Sequence, residues 1–252
     1  VLQPRLDSAN QTLSHMAAQL ISTGKIIYNA GVGIKSPILK AAIPTGNFKT
    51  AGEKVWSDPD CKILDQMAKI EEDIKNENGL NIAWQWKFTR KMFNAYFLNN
   101  NQVKEWVRYI GVVNNTPLPE NLILTSDMII NAIPQHPYGL APIKIVDEKQ
   151  QDYVKGTVNG WKDGVAVFCP AGYLGTIKRT TIADLRLLSP EYTNPANTYT
   201  FASALDGCAF IRNAVVVNGN LKEWHSDLVL AATPVLDEFL YHYIIDTTTA
   251  DV

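Results

Sequence analysis

Residues 58–88, DPDCKILDQMAKIEEDIKNENGLNIAWQWKF, carry a helical rhythm straight into a strand rhythm. Ile63, Met67, Ile70 and Ile74 recur at spacings of four, three and four, which lines one side of an α-helix. Asp58 is expected to cap that helix and Pro59 to occupy its first turn. Lys69, Glu71, Glu72, Asp73 and Lys75 form its solvated face, and Asn78-Gly79 ends it. From Ile82 the pattern alternates through Trp84, Trp86 and Phe88, as in a strand with a buried aromatic face.

Working outward, Thr89 is placed to cap a short helix that turns Met92, Phe93, Tyr96 and Phe97 inward. A second short helix runs from Asn101 with Val103, Trp106, Val107 and Ile110 buried, and a third from Ser126 to Ile133 before Pro134. Toward the N-terminus, Leu13, Met16, Ala17, Leu20 and Ile21 mark an amphipathic helix that Gly24 closes. KIIYNAGVGIKSPIL (25–39) then reads as two short strands joined at residues 29–33, followed by a polar stretch, PTGNFKTAGEKVW (44–56). Beyond residue 141 the period becomes two: PIKIVDE (142–148), DGVAVFCP (163–170), FIRNAVVV (210–217), WHSDLVLAA (224–232) and EFLYHYIID (238–246) are strand-like. Helices and strands mix early and strands dominate late, which makes the chain α+β without regular βαβ alternation.

The 252 residues are 46% apolar but only 19% charged, with a net charge of −2. Amides fill the deficit, since Asn alone occupies 20 positions. Such a surface repels its neighbours weakly and suits close packing against other copies. The charge offers no overall footprint for nucleic acid, and no apolar run is long enough for a membrane helix. Val1 in place of Met, and a start inside a helix, predict missing upstream residues. Cys61, Cys169 and Cys208 are widely spaced among small apolar neighbours, which fits buried thiols in a reducing compartment.

No pattern tied to a known chemistry stands out. GVGIKS (31–36) lacks the third glycine of a dinucleotide turn and the Gly-Lys pair of a P-loop, so it reads as a hairpin turn. His15, His136, His225 and His242 show no metal-ligand spacing, although His225 and His242 sit on neighbouring predicted strands. They read as partly exposed strand histidines. A hydrolase would have to pair His225 with Asp227 or Asp246. The acids Glu71, Glu72 and Asp73, and the pair Asp237 and Glu238, are expected to titrate as in water and so make poor general acids. Trp84, Trp86 and Lys87, with Phe88, Arg90 and Lys91 beside them, are the one place where single-stranded nucleic acid could stack, though the segment fits a packed strand and helix equally well. The sequons at Asn10 and Asn114 matter only on a secretory route. No catalytic, cofactor or metal residue is assigned.

The order of elements is nevertheless distinctive. STGKIIYN (22–29) follows the first helix, EKVWSDPDCKILDQMAKIEEDI (53–74) opens the second, and WKFTRKMFNAYFLNNNQVKEW (86–106) places aromatic helices before an asparagine run. DGVAVFCPAGYLGT (163–176) closes the set with a strand, Pro-Ala-Gly and a further Gly. This order resembles the major capsid proteins of tailed bacteriophages, in the branch related to the lambda capsid protein E. Trp56, Asp58, Pro59, Ile63 and Asp65 match one family element, and Asp163, Gly164, Pro170, Gly172 and Gly175 another.

The resemblance implies a coat fold with a peripheral domain containing a spine helix, and an axial domain of mixed sheet and helices. Residues 1–58 would hold the end of the spine helix and a hairpin, 59–205 the axial domain, and 206–252 returning peripheral strands. It further implies a prophage or phage structural protein, not an enzyme, that self-associates into pentamers and hexamers around DNA held only non-specifically. Partners would be its own copies, with scaffold, decoration and portal proteins, in the virion or in the bacterial cytoplasm during assembly. Asn99, Asn100 and Asn101 would be polar tips near the symmetry axis. A tail or decoration protein is the principal alternative, and it predicts a compact β-sandwich.

Overall fold

The computed structural model describes residues 2–27, 38–78, 82–114, 123–146, 149–152, 156–179, 198–205, 208–217, 220–230 and 232–250. The GVGIKS turn lies outside them. Helix α1 (Leu2–Thr23) ends where expected, because Gly24 adopts φ 68° and its N–H donates to the Leu20 carbonyl at 2.8 Å. Strands β1 (Lys25–Ile27) and β2 (Ile38–Lys40) form a small antiparallel ladder, and β3 (Phe48–Thr50) follows. Helix α2 spans Ile63–Asn78. It starts later than the Asp58-Pro59 signal predicts. Asp58 instead closes a turn, its carboxylate accepting the Asp60 N–H at 2.9 Å, while Gln102 accepts the N–H of Leu64 at 2.9 Å.

Strand β4 (Trp84–Thr89) runs into α3 (Arg90–Tyr96), with the Thr89 hydroxyl accepting the Met92 N–H as the sequence predicts. Then come α4 (Asn101–Val113), α5 (Ser126–Ala132) and β5 (Ile143–Val146). A short ladder joins β6 (Lys149–Asp152) to β7 (Gly156–Asn159). Strand β8 (Val165–Pro170) precedes β9 (Gly175–Arg179), and β10 (Thr198–Leu205), β11 (Cys208–Val217) and β12 (Asn220–Leu230) form an antiparallel meander. Strand β13 (Ala232–Leu236) pairs back onto β9. Gly175 permits this, since a Cβ there would run into the Val235 carbonyl. The predicted strand 238–246 yields only β14 (Tyr243–Asp246), after a 3₁₀ turn at Phe239–Tyr241.

The organising element is a mixed five-stranded sheet in the order β3-β14-β8-β4-β5, parallel at both outer pairs and antiparallel between. Alternation sends its side chains to two separate cores. Trp86, Phe88, Ala166, Phe168 and Ile245 meet α2, α3, α4 and α5 on one face. Val165, Val167, Cys169 and Ile244 meet Leu13, Met16 and Leu20 of α1 on the other. Because both faces are covered, every residue of β8 is buried. The mixed α+β reading therefore holds, and the described residues do not build the β-sandwich expected of a tail or decoration protein.

Candidate functional site

The chemistry-bearing residues singled out from sequence are mostly committed to the core. Trp84 is 5% exposed, Trp86 0% and Lys87 9%, so the stacking platform for nucleic acid does not exist. Alternation explains the burial: the rings point toward α2, and Lys87 lines a cleft of about 230 Å³ between α1 and the β9–β13 ladder. Burial pushes the thiols of Cys61 and Cys169 up to about 11, which leaves both protonated and unreactive at neutral pH. Cys208, His225 and Asp227 lie outside the described side chains. The strand that carries His225, β12, belongs to the meander, whereas His242 precedes β14 in the central sheet. The two strands are not ladder neighbours.

Two polar residues differ from expectation. His242 is fully buried rather than partly exposed: its Nε2–H donates to the Ile21 carbonyl at 2.7 Å, and Nδ1 has no hydrogen-bond partner among the described residues. Burial pushes it down to about 4, against the pull of the Ile21 bond, and nearby Lys87 adds to the depression. Glu71 is not on the solvated face of α2 but 2% exposed. Its Oε1 accepts the indole N–H of Trp86 at 2.7 Å and the backbone N–H of Ala141 at 2.9 Å, while Oε2 takes the Lys75 ammonium at 2.6 Å. Glu72 and Asp73 remain exposed. Asp246 accepts from the Thr248 backbone and hydroxyl, and Asp237 from Tyr173 and Thr176. Among the described residues no group of three His, Cys, Asp or Glu side chains could hold a metal, and no helix is long and apolar enough to cross a membrane.

The asparagine run also reads differently. Asn100 is fully buried and is no tip: its Oδ1 caps α4 by accepting the Val103 N–H at 3.1 Å, and its Nδ2 donates to the Cys61 carbonyl at 2.6 Å. Asn101 donates to Asp60 at 2.7 Å and Gln102 to Asp65 at 2.8 Å. These bonds pin the start of α4 to the approach to α2. Fixed there, α4 turns Val103 and Val107 inward and leaves Tyr109, Val112 and Val113 outside, each more than half exposed.

That outer stripe continues as a row of rings. Tyr109 stacks on Trp106 at 5.5 Å, Trp106 meets the edge of His136 at 4.6 Å, and His136 lies 4.8 Å from Tyr138. The Trp106 indole donates to the Ala132 carbonyl at 2.8 Å, which ties the row to α5. Burial holds His136 below its ordinary value, partly countered by Asp65. Ile123 adds an aliphatic side chain 86% exposed, at the approach to α5. Tyr138 also borders a groove of about 490 Å³ along α2, lined by Asp65, Ala68, Glu72, Lys75 and Asn76. The row thus sets partly and fully exposed apolar side chains beside a groove that carries Asp65 and Glu72. Trp106, expected in the core, is partly buried and packs against it, whereas the 3–4 spacing of Tyr109, Val112 and Val113 is a second apolar stripe on α4 that faces outward.

No protein-family model and no curated protein matches this chain. Its fold does have a counterpart among solved structures. A protein provisionally assigned as the capsid protein of a prophage of Escherichia coli CFT073 superposes with a TM-score of 0.54 at 12% identity. The match covers 97% of this chain and 65% of the other, so this chain spans under two thirds of its neighbour's length. The fold of this chain is capsid-like.

Proposed function

We propose that this chain is a structural subunit of a phage or prophage shell, in the branch related to the lambda capsid protein E. It works by symmetric self-association into pentamers and hexamers that enclose DNA. The observation that carries this reading is the fold likeness to an assigned prophage capsid protein over nearly the whole chain. The sequence resemblance, through Trp56, Asp58, Pro59 and the glycines after β8, supports the choice of branch. In this reading residues 59–205 form the axial domain, and residues 1–58 with 206–252 form the peripheral one around α1. Low charge and abundant amides suit many close subunit contacts. Scaffold, decoration and portal proteins are the expected further partners, and the role is mechanical rather than catalytic. The exposed stripe of Tyr109, Val112 and Val113 on α4 supplies one patch for contact between copies.

Electron microscopy of the chain expressed in bacteria, alone and with the genes that neighbour its own, tests this. Closed shells or flat sheets of hexamers are expected in at least one arm. A double change, Tyr109→Ser with Val113→Ser, should leave the melting temperature within about 2 °C while sharply reducing the number of particles. Small soluble particles in both arms would reject the reading.

A further inference from the structure

Sheet geometry gives the β1–β2 ladder a distinctive outer face. Its antiparallel register sets Lys25 directly opposite Lys40, and both are exposed. Ile26 turns into the core beneath α1 at 1% exposure, while Ile27 stands outside at 51%. Like charges directly opposite on a ladder destabilise it. Among the described residues neither lysine has a carboxylate within salt-bridge distance. The ladder is thus a small basic and apolar face that gains from meeting an acidic and apolar one.

The protein carries such a face on its opposite side. Helix α2 holds five acids (Asp65, Glu71, Glu72, Asp73, Glu77) against two lysines (Lys69, Lys75), a balance of −3. Its groove is completed by Ala68 and the half-exposed ring of Tyr138. The ladder belongs to the α1 side of the central sheet and the groove to the α2 side. Complementary patches on opposite sides cannot satisfy one another within one copy. They can do so head to tail between copies, which is the heterologous arrangement that closes rings.

We infer that the β1–β2 ladder of one copy docks into the α2 groove of the next, with Lys25 and Lys40 facing Glu72 of the groove lining and the exposed Asp73 next to it on α2, and Ile27 against Tyr138. This rests on the proposed self-association and names the surfaces that perform it. The two sets of charges also fix the direction of travel around the ring, because a groove meeting a groove, or a ladder meeting a ladder, is repulsive.

Charge reversal tests it in the whole chain. Lys25→Glu with Lys40→Glu reverses the ladder, and Glu72→Lys with Asp73→Lys reverses the exposed acidic pair of α2 at the groove. All four positions are exposed, and circular dichroism melts would verify that each variant folds. Sedimentation velocity and microscopy then read association. Each reversed variant should associate at least about tenfold more weakly than the unaltered chain, and the fourfold variant should regain it. Mixing the two reversed variants should also restore association, but only with strict alternation, so that closed rings of six appear and rings of five do not. Reversed variants that assemble like the unaltered chain would overturn the docking and leave the shell reading standing. An unaltered chain that stays monomeric at high concentration and beside its neighbouring gene products would overturn both.

Discussion

The two faces of the central sheet are built from different material. Toward α2 the core is aromatic, with Trp56, Trp86, Phe88, Phe93, Phe97 and Phe168 in contact. Its buried acid, Glu71, has hydrogen-bond or ionic partners on both oxygens. Toward α1 the core is mainly aliphatic, and one helix covers it. That helix is tied down by single polar bonds: Lys162 N–H to the Ser22 hydroxyl at 3.0 Å, and His242 to the Ile21 carbonyl. One face holds its buried acid fully paired, and the other relies on a histidine that must stay neutral. Burial alone therefore does not rank the two, because the state of the polar groups inside each face decides how it fails.

The sharpest way to break the α2 face is Glu71→Ala. It strands the Trp86 indole N–H and the Ala141 N–H inside the core, and should cost about 3–5 kcal/mol in urea unfolding. Glu71→Gln keeps an acceptor and should lose less than half of that.

The α1 face should break by acid instead. Folded His242 stays neutral down to about pH 4, whereas the unfolded side chain takes up a proton near its ordinary 6.5. Its contribution is complete above about pH 6.5 and is lost as the pH falls toward 4, by about 3 kcal/mol in all. Hydrogen exchange at pH 5 should show amides of α1 losing protection before those of α2, and His242→Gln should flatten the pH dependence of stability. Equal loss on both faces would remove the distinction. The smallest effect is expected at the joint between elements, where Asn100→Ala removes a cap and a buried bond for about 1–2 kcal/mol. Thermal melts at neutral pH would measure it.

How much of this could be read beforehand depended on the range of the interaction. The cap at Thr89 and the end of α1 at Gly24 were legible, because each is decided within four residues. The start of α2 was not, since its first-turn N–H is satisfied by Gln102, far along the chain. Glu71 was legible in principle: it lies four after Met67 and three before Ile74, inside the apolar stripe, and only its charge argued for solvent. Asn100 likewise stood where a cap belongs, just ahead of the Val103, Val107 stripe. The candidate surface was legible only in part. An apolar stripe announces itself in sequence, but which of two stripes on α4 faces outward is settled by what packs against it. Nor could the opposite placement of ladder and groove be read, because it depends on the two sides of a sheet assembled from distant segments.

Strand β14 occupies the second place in that sheet, between β3 and β8, although it is the last of the five to be synthesised. Until it emerges from the ribosome, β3 has no partner and the β8 ladder is open along one edge. A nascent chain therefore holds an unfinished platform beneath both α1 and α2, and closes it in one late, long-range step. Synthesis itself becomes a timer: the self-association proposed above would have to wait until each chain has closed its central sheet.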